Sequence, residues 1–434
     1  MPRPLQPPRG MRDFLPEEMI IRQQILEKVK TVFETFGFQP LETPAIENWE
    51  VLSAKGAGGE EILKETYNFK DLGGRRVGLR YDLTVPLARV VASTPNLTLP
   101  FKRYQIQNVW RYGDVAKGRF REFLQADIDT IGAESMLADA EVVACAIATF
   151  SSLGFKEFMV RVNNRKILSA LIKYAGVEDD KIVDAFRAID KLDKVGEKGV
   201  EKELLDRGIS TNVAKRIMEF IKIAGEPEAV LKKAEKFVTG IKEGEEGIAE
   251  LKQFVAYLVD MKVEPKFKID LSLARGLDYY TGPIFEVFAA EGVGSVAGGG
   301  RYDKMIGLFS GRDIPATGIS LGIERIIEVI KQRKMIEPTK TKVKAFIASV
   351  NEQVRTNAIG LAQKLRQSGV PVDFDLKNRV LTRQLEYADA LGIPLVVIVG
   401  SKELEKGVVK VRDMKKREET EVKIFELVNL LNRY

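Results

Sequence analysis

The chain contains no histidine among its 434 residues. That absence removes Ser-His-Asp and Cys-His catalytic groupings, together with every histidine-ligated metal. Cysteine is almost as scarce: Cys145 stands alone, so neither an internal disulfide nor a multi-cysteine zinc site can form. Its neighbours, AEVVACAIATF, describe a small buried helix residue rather than a nucleophile. No apolar run is long enough to span a bilayer, and the opening MPRPLQPPRGMRDFLPEE lacks the apolar core of a signal peptide. A cytoplasmic protein with no membrane partner is expected. Its chemistry must rest on carboxylates, arginine, lysine, tyrosine or a bound cofactor.

What is present fits a globular protein of two or three domains, with 45% hydrophobic and 30% charged residues. Lysine and arginine outnumber aspartate and glutamate by 68 to 62, a net charge of +6. So mild an excess suits a polyanionic partner without requiring one.

After a proline-rich arm, Ile21, Ile25, Val29, Val32, Phe33 and Phe36 recur at helical spacing, with Gly37 as a stop. A short strand carrying Pro44 is expected next. RVGLRYDLTVPL, ending at Leu87, alternates like a strand, and FKRYQIQNVWR and FLQADIDTI do so again. The last two predict antiparallel strands joined by a basic loop, Tyr112 to Arg119. Residues 166–262 shift to charged helical segments broken by Gly196, Gly208, Gly225 and Gly240, which predicts a helical insertion. From Ala316 to Ile330 a strand runs into a helix. Residues 332–342 form a linker, and 343–434 alternate β-α-β-α-β, predicting a separate α/β domain with a largely parallel sheet.

Three stretches carry chemistry. The loop RYGDVAKGRFR places Arg111, Lys117, Arg119 and Arg121 beside Phe120 and Phe123. Because alternate residues of a strand share a face, Phe123, Gln125, Asp127 and Asp129 can line one floor. Cations and a flat ring make a seat for a nucleotide, although a solvated basic hairpin would read the same way. Gly318 to Arg325 puts two glycines in a strand ahead of a helix whose first turn holds Glu324 and Arg325. Between Arg275 and Asp303, two arginines, three tyrosines and Gly298, Gly299 and Gly300 describe either a pocket or a plain strand, loop and strand.

In order along the chain, these segments resemble the three motifs of class II aminoacyl-tRNA synthetases. Pro44 falls in the first, Arg111 to Phe123 in the second and Gly318 to Arg325 in the third. RGLDYY at 275–280 and GGGRYD at 298–303 resemble the two signatures of the histidyl-tRNA synthetases, and the likeness covers nearly the whole chain. It implies an α+β fold: an antiparallel sheet flanked by helices, a helical insertion, and a C-terminal α/β anticodon-binding domain. The catalytic domain would comprise residues 1–165 and 263–331. Implied partners are L-histidine, ATP with Mg2+, tRNA(His) and a second subunit met near Pro44; no protein-bound zinc is implied.

The resemblance also implies roles. Arg111 would hold the α-phosphate and Arg119 and Arg325 the outer phosphates, with Arg121 and Glu324 also binding ATP and Phe123 stacked on adenine. Arg275 would supply a cation where other class II enzymes use a metal. Asp82, Thr84 and Gln125 would bind the α-amino group, and Asp129, Tyr280 and Tyr302 the imidazole. Tyr279 belongs to the same signature, but strand alternation would turn it away from Tyr280. Two departures stand out: Gly113 and Asp114 follow Arg111 where many relatives carry a glutamate, and Asp129 stands where some carry glutamate. The regulatory subunit of ATP phosphoribosyltransferase shares this architecture, but characteristically lacks the C-terminal domain and degrades the second and third motifs. Synthetases for threonine, proline or glycine would leave RGLDYY and GGGRYD unexplained. In the C-terminal domain, Lys377, Arg379 and Arg383 are candidate anticodon contacts.

Overall fold

The computed structural model describes all residues except 1–4, 55–58, 117, 264–265, 275–278 and 290–293, and the backbone alone at 59–61. Two compact units are present, Met1–Arg12 with Ile25–Met335, and Asp13–Gln24 with Ile336–Tyr434. Early strands are β1 (Gln39–Pro40), β2 (Ile46–Asn48), β3 (Asn68–Lys70), β4 (Arg76–Leu79), β5 (Phe101–Trp110), β6 (Glu122–Ile131) and β7 (Met159–Asn164). There follow β8 (Phe267–Ile269), β9 (Pro283–Phe288), β10 (Ser295–Arg301) and β11 (Ala316–Gly322). The C-terminal strands are β12 (Ala345–Ser349), β13 (Val372–Phe374), β14 (Leu395–Val399), β15 (Val408–Asp413) and β16 (Glu419–Lys423).

An eight-stranded sheet in the order β1-β5-β6-β11-β10-β9-β7-β8 forms the first unit, antiparallel except at its two outer pairings. Its centre follows from the sequence pattern. Along β6, Leu124, Ala126 and Ile128 are buried on the helix-covered face, while the alternate residues face the other way. Helix Ile323–Gln332 presents Ile323, Ile326, Ile327 and Ile330 at spacings of three and four, all buried. Each such side chain contributes roughly 1.5–3 kcal/mol. Helix Met136–Ser152 is apolar almost all round and buries Cys145, whose thiol burial pushes upward. Its start is capped by Ser135, whose hydroxyl accepts from the Leu137 N–H at 3.2 Å.

Six helices between Arg165 and Asp260 separate β7 from β8, the place of the expected insertion. Gly196 kinks one of them with φ 70°, a left-handed value that glycine adopts without strain. In the second unit the sheet order is β13-β12-β14-β15-β16, covered on one face by helix Arg355–Gln367 and on the other by helix Leu381–Ala390. Among the described residues no helix is long and apolar enough to cross a membrane.

Three expectations need correction. Pro44 lies between β1 and β2, exposed and outside any strand. The alternation read through Leu87 stops at Leu79, and a helix begins at Thr84. There the Asp82 carboxylate accepts from the backbone N–H groups of Thr84 and Val85 at 3.1 and 3.0 Å, and Pro86 fits the first turn, where its missing donor costs nothing. The C-terminal sheet is mixed, because β14, β15 and β16 pair antiparallel after the parallel β12, β13 and β14.

Candidate functional site

A cavity of about 420 Å³ opens on the face of the large sheet opposite the helices that cover β6. Its floor is the alternating row Phe123, Gln125, Asp127 and Asp129, as the strand period requires. Gly318 and Ser320 on β11, with Gly298 and Gly299 on β10, continue the floor sideways. Close approach accounts for two glycines. A β-carbon at Gly318 would overlap the Asp129 carboxylate, and one at Gly300 would come within 2.7 Å of the Tyr280 ring.

One end of the cavity is acidic and closely hydrogen-bonded. Tyr302 donates its hydroxyl to Asp129 Oδ1, and Arg103 Nη2 lies 2.8 Å from Asp129 Oδ2. Burial pushes the Asp129 carboxyl upward, while Arg103 and the Tyr302 hydroxyl pull it down. Tyr302 is itself driven well above the usual phenol range, by burial and then by the neighbouring Asp129 charge. Asp82 is also raised by burial, with its backbone donors opposing. Gln125 donates to Ser320 Oγ at 2.8 Å, while its own Oε1 is buried without a hydrogen-bond partner. The carboxyl of Asp127 is pushed up to about 7, chiefly by burial.

The other groups supply cations and flat rings. Arg111 Nε donates to the Tyr81 carbonyl at 3.1 Å, and its guanidinium centre sits 4.3 Å from the Tyr81 ring and 5.1 Å from the Phe123 ring. Tyr81 in turn donates to Glu65 at 3.0 Å. Burial raises its phenol to about 12. Arg325 donates to the Ser295 carbonyl at 2.5 Å and passes within 3.5 Å of where a β-carbon on Gly118 would lie. Thus the β5–β6 loop meets the helix that follows β11. Glu324 accepts from the Leu124 N–H at 3.0 Å and so ties that helix to the floor strand.

Of the residues singled out in the sequence, Arg111, Arg119, Phe123, Glu324, Arg325, Asp82, Thr84, Gln125, Asp129, Tyr280 and Tyr302 all line this cavity. Tyr279 lines it too, contrary to the alternation argument: it precedes β9, so strand geometry does not govern it, and its ring lies 4.7 Å from that of Tyr280. Arg121 does not reach the cavity lining; it stacks on Tyr112 at 3.8 Å and donates to the Gly113 carbonyl. Arg275 and Lys117 fall outside the described residues. Pro44 stands apart from the cavity lining.

Four contributors escaped the sequence reading. Arg103 follows from the hairpin register, which sets it opposite Asp129. Asp127 was visible as floor but given no task. Ser320 shares Gln125 and Asp127. Glu65 arrives from the helix Gly59–Glu65, with its carboxylate 3.3 Å from the β-carbon position of Gly113, beside the place where a glutamate was missing. Among the described residues no group of three or more ligands is gathered for a metal ion. In the second unit Arg379 is tied to Asp375 at 2.6 Å and Arg383 to Glu386 at 2.6 Å.

A family model described as histidyl-tRNA synthetase matches residues 10–326, and one described as an anticodon binding domain matches residues 344–434. The histidine–tRNA ligase of Aeropyrum pernix is 43% identical over 431 residues, covering 99% of this chain and 98% of its own. A solved histidyl-tRNA synthetase from Nostoc sp. superposes with a TM-score of 0.88 at 32% identity, over 99% of both chains. A Bacillus halodurans structure, described as an ATP phosphoribosyltransferase regulatory subunit/histidyl-tRNA synthetase, superposes at 0.76 with 25% identity, over 90% of this chain and 97% of its own.

Proposed function

Since the chain belongs to the histidyl-tRNA synthetase family, we propose that it joins L-histidine to ATP as histidyl-adenylate and then passes the histidyl group to the 3′-terminal adenosine of tRNA(His). The observation that carries this reading is the pairing, in one cavity, of an Asp129–Tyr302 polar seat with the Arg111–Phe123 cation and ring. Imidazole has one N–H and one lone-pair nitrogen, so a carboxylate and hydroxyls read it. Asp129, Tyr280 and Tyr302 supply that set. Asp82, Thr84 and Gln125 take the α-amino group.

The substrate carboxylate attacks the α-phosphate and pyrophosphate departs, so no enzyme nucleophile is needed. Arg111 holds the α-phosphate, Arg119 and Arg325 the outer phosphates, and Phe123 stacks on adenine. Arg275 stabilises charge developing on the α-phosphate. Glu324 acts by fixing the floor strand. Glu65, Asp114 and Glu324 are the carboxylates in the cavity lining that would help to hold a magnesium ion arriving with ATP, which would offset phosphate charge.

In the same reading, residues 1–165 and 263–331 form the catalytic domain and 166–262 the insertion. Residues 332–342 are a linker, and 343–434 meet the anticodon. The protein works in the cytoplasm as a homodimer, with the exposed segment at Pro44 in the subunit contact. A purely regulatory histidine-binding role is disfavoured by the matched anticodon domain and by Arg111 and Arg325 in the cavity.

The test is amino-acid-dependent exchange of pyrophosphate into ATP, run across all twenty amino acids. Histidine alone should support it, and Arg275→Ala should lose most of the rate with little change in histidine affinity. Exchange with another amino acid and none with histidine would refute the assignment.

A further inference from the structure

Taking the cavity as a histidine-activating site, we propose that Asp127 is a further amino-acid-binding residue, receiving the substrate's α-ammonium group at Oδ1 alongside Gln125 Oε1. Both oxygens of Asp129 and one of Asp82 are already engaged. Asp129 gives one oxygen to Tyr302 and the other to Arg103. Asp82 spends Oδ1 on the N–H groups of Thr84 and Val85.

By contrast, Asp127 Oδ1 and Gln125 Oε1 are both buried acceptors with no hydrogen-bond partner among the described residues, and Asp127 is only 3% exposed. They lie two residues apart on one strand, facing one cavity. Ser320 orients both, accepting from Gln125 Nε2 at 2.8 Å and bonding to the Asp127 carboxylate. Two adjacent unfilled acceptors call for a group with several donors. An ammonium has three and a full charge, whereas neutral imidazole offers one N–H and is matched by Asp129 and Tyr302.

Charge balance points the same way. Asp82 before the helix Thr84–Ser93, and Asp127 and Asp129 on β6, face the buried guanidinium of Arg103 on β5, and Asp82 also feels Arg111; Ser320 on β11 is neutral. Among the described residues, three carboxylates against these two guanidiniums leave the end of the cavity short of positive charge. Burial raises Asp127 to about 7, Asp129 and Asp82 add to the rise, and Arg103 opposes it. An ammonium placed at Oδ1 favours the carboxylate, so substrate binding expels a proton.

The experiment is calorimetry at several pH values with two ligands, histidine and 3-(imidazol-4-yl)propionate, which keeps the ring and the carboxylate but lacks the amine. Asp127→Asn should weaken histidine by about 10- to 100-fold and leave the des-amino compound nearly unchanged. Beyond the protons shed by the ligand's own ring, the wild-type protein should release up to about half a proton on binding histidine at pH 7. That excess should vanish in the variant. Should Asp127→Asn fail to fold, Ser320→Ala should show the same selective loss in smaller measure. Equal loss of both ligands, or no loss of histidine, in the folded variant overturns the proposal. So does a Ser320→Ala protein that distinguishes the ligands as well as the wild type. A wild-type protein that binds no histidine overturns the reading of the cavity itself, a result distinct from these.

Discussion

Arg103 and Asp129 are cross-strand partners on β5 and β6, with Nη2 2.8 Å from Oδ2 and both side chains shut off from solvent. The pair holds the acid of the proposed imidazole seat, and Arg103 also donates to the Leu83 carbonyl at 3.2 Å, just ahead of the Thr84 helix. Removing one member leaves an uncompensated buried charge. Arg103→Met should therefore cost about 3–5 kcal/mol in urea unfolding and abolish histidine binding. A small stability change would mean that Asp129 takes up a proton at little cost.

Tyr302→Phe deletes a single oxygen. Asp129 loses its hydroxyl donor, and the imidazole seat loses a group that orients the acid. Histidine binding measured by calorimetry should weaken by about 1–3 kcal/mol. An unchanged affinity would take the Tyr302 hydroxyl out of histidine recognition.

Gly318→Ala places a β-carbon against the Asp129 carboxylate and the Ile128 carbonyl, the latter at 2.6 Å. The backbone there is an extended central strand, so the obstacle is space rather than φ. Pyrophosphate exchange with histidine should fall by more than that of Gly360→Ala, a helix position where no atom lies within 4 Å of the added carbon. Comparable activities for the two variants would show that Asp129 moves aside freely.

Burial of Asp127 has a stability cost with a definite sign. Its folded-state carboxyl titrates at about 7 and an ordinary aspartate at 3.8, so between those values the folded chain binds more protons than the unfolded one. Stability from this group is therefore fullest below about pH 4 and declines as pH rises through 7. Asp127→Asn should be more stable than the wild type at pH 8, by at most about 4 kcal/mol, with the gain shrinking toward pH 4. Denaturant unfolding across that range checks it, and a gain that grows on acidification would contradict it.

The β5–β6 hairpin was legible because its two alternating runs are long and the floor residues follow from a period of two. The same hairpin contained Arg103, but its importance appears only when the register puts 103 against 129. At Asp82 the alternation misled, since a side chain that caps a helix overrides a short apolar pattern. Tyr279 misled in the opposite way, because strand logic was applied to a segment that precedes its strand. Glu65 was invisible, as nothing local tells a short surface-like helix that its last carboxylate will lie beside Gly113. The β15–β16 hairpin lay beyond the β-α-β-α-β repeat and carries charged, exposed residues that give little periodic signal.

Across the sheet, Arg103, Asp129, Gly318 and Gly300 form one row of register partners, an ion pair followed by two bare backbone positions. The places of the two missing β-carbons are taken by the Asp129 carboxylate and the Tyr280 ring, and no amino acid is smaller than glycine. Substitution at either glycine can only push those groups into the seat. Tolerance of ring analogues should thus be one-directional under selection: variants at 300 and 318 can exclude a bulkier ring, but admitting one requires change at Tyr280 or Tyr302.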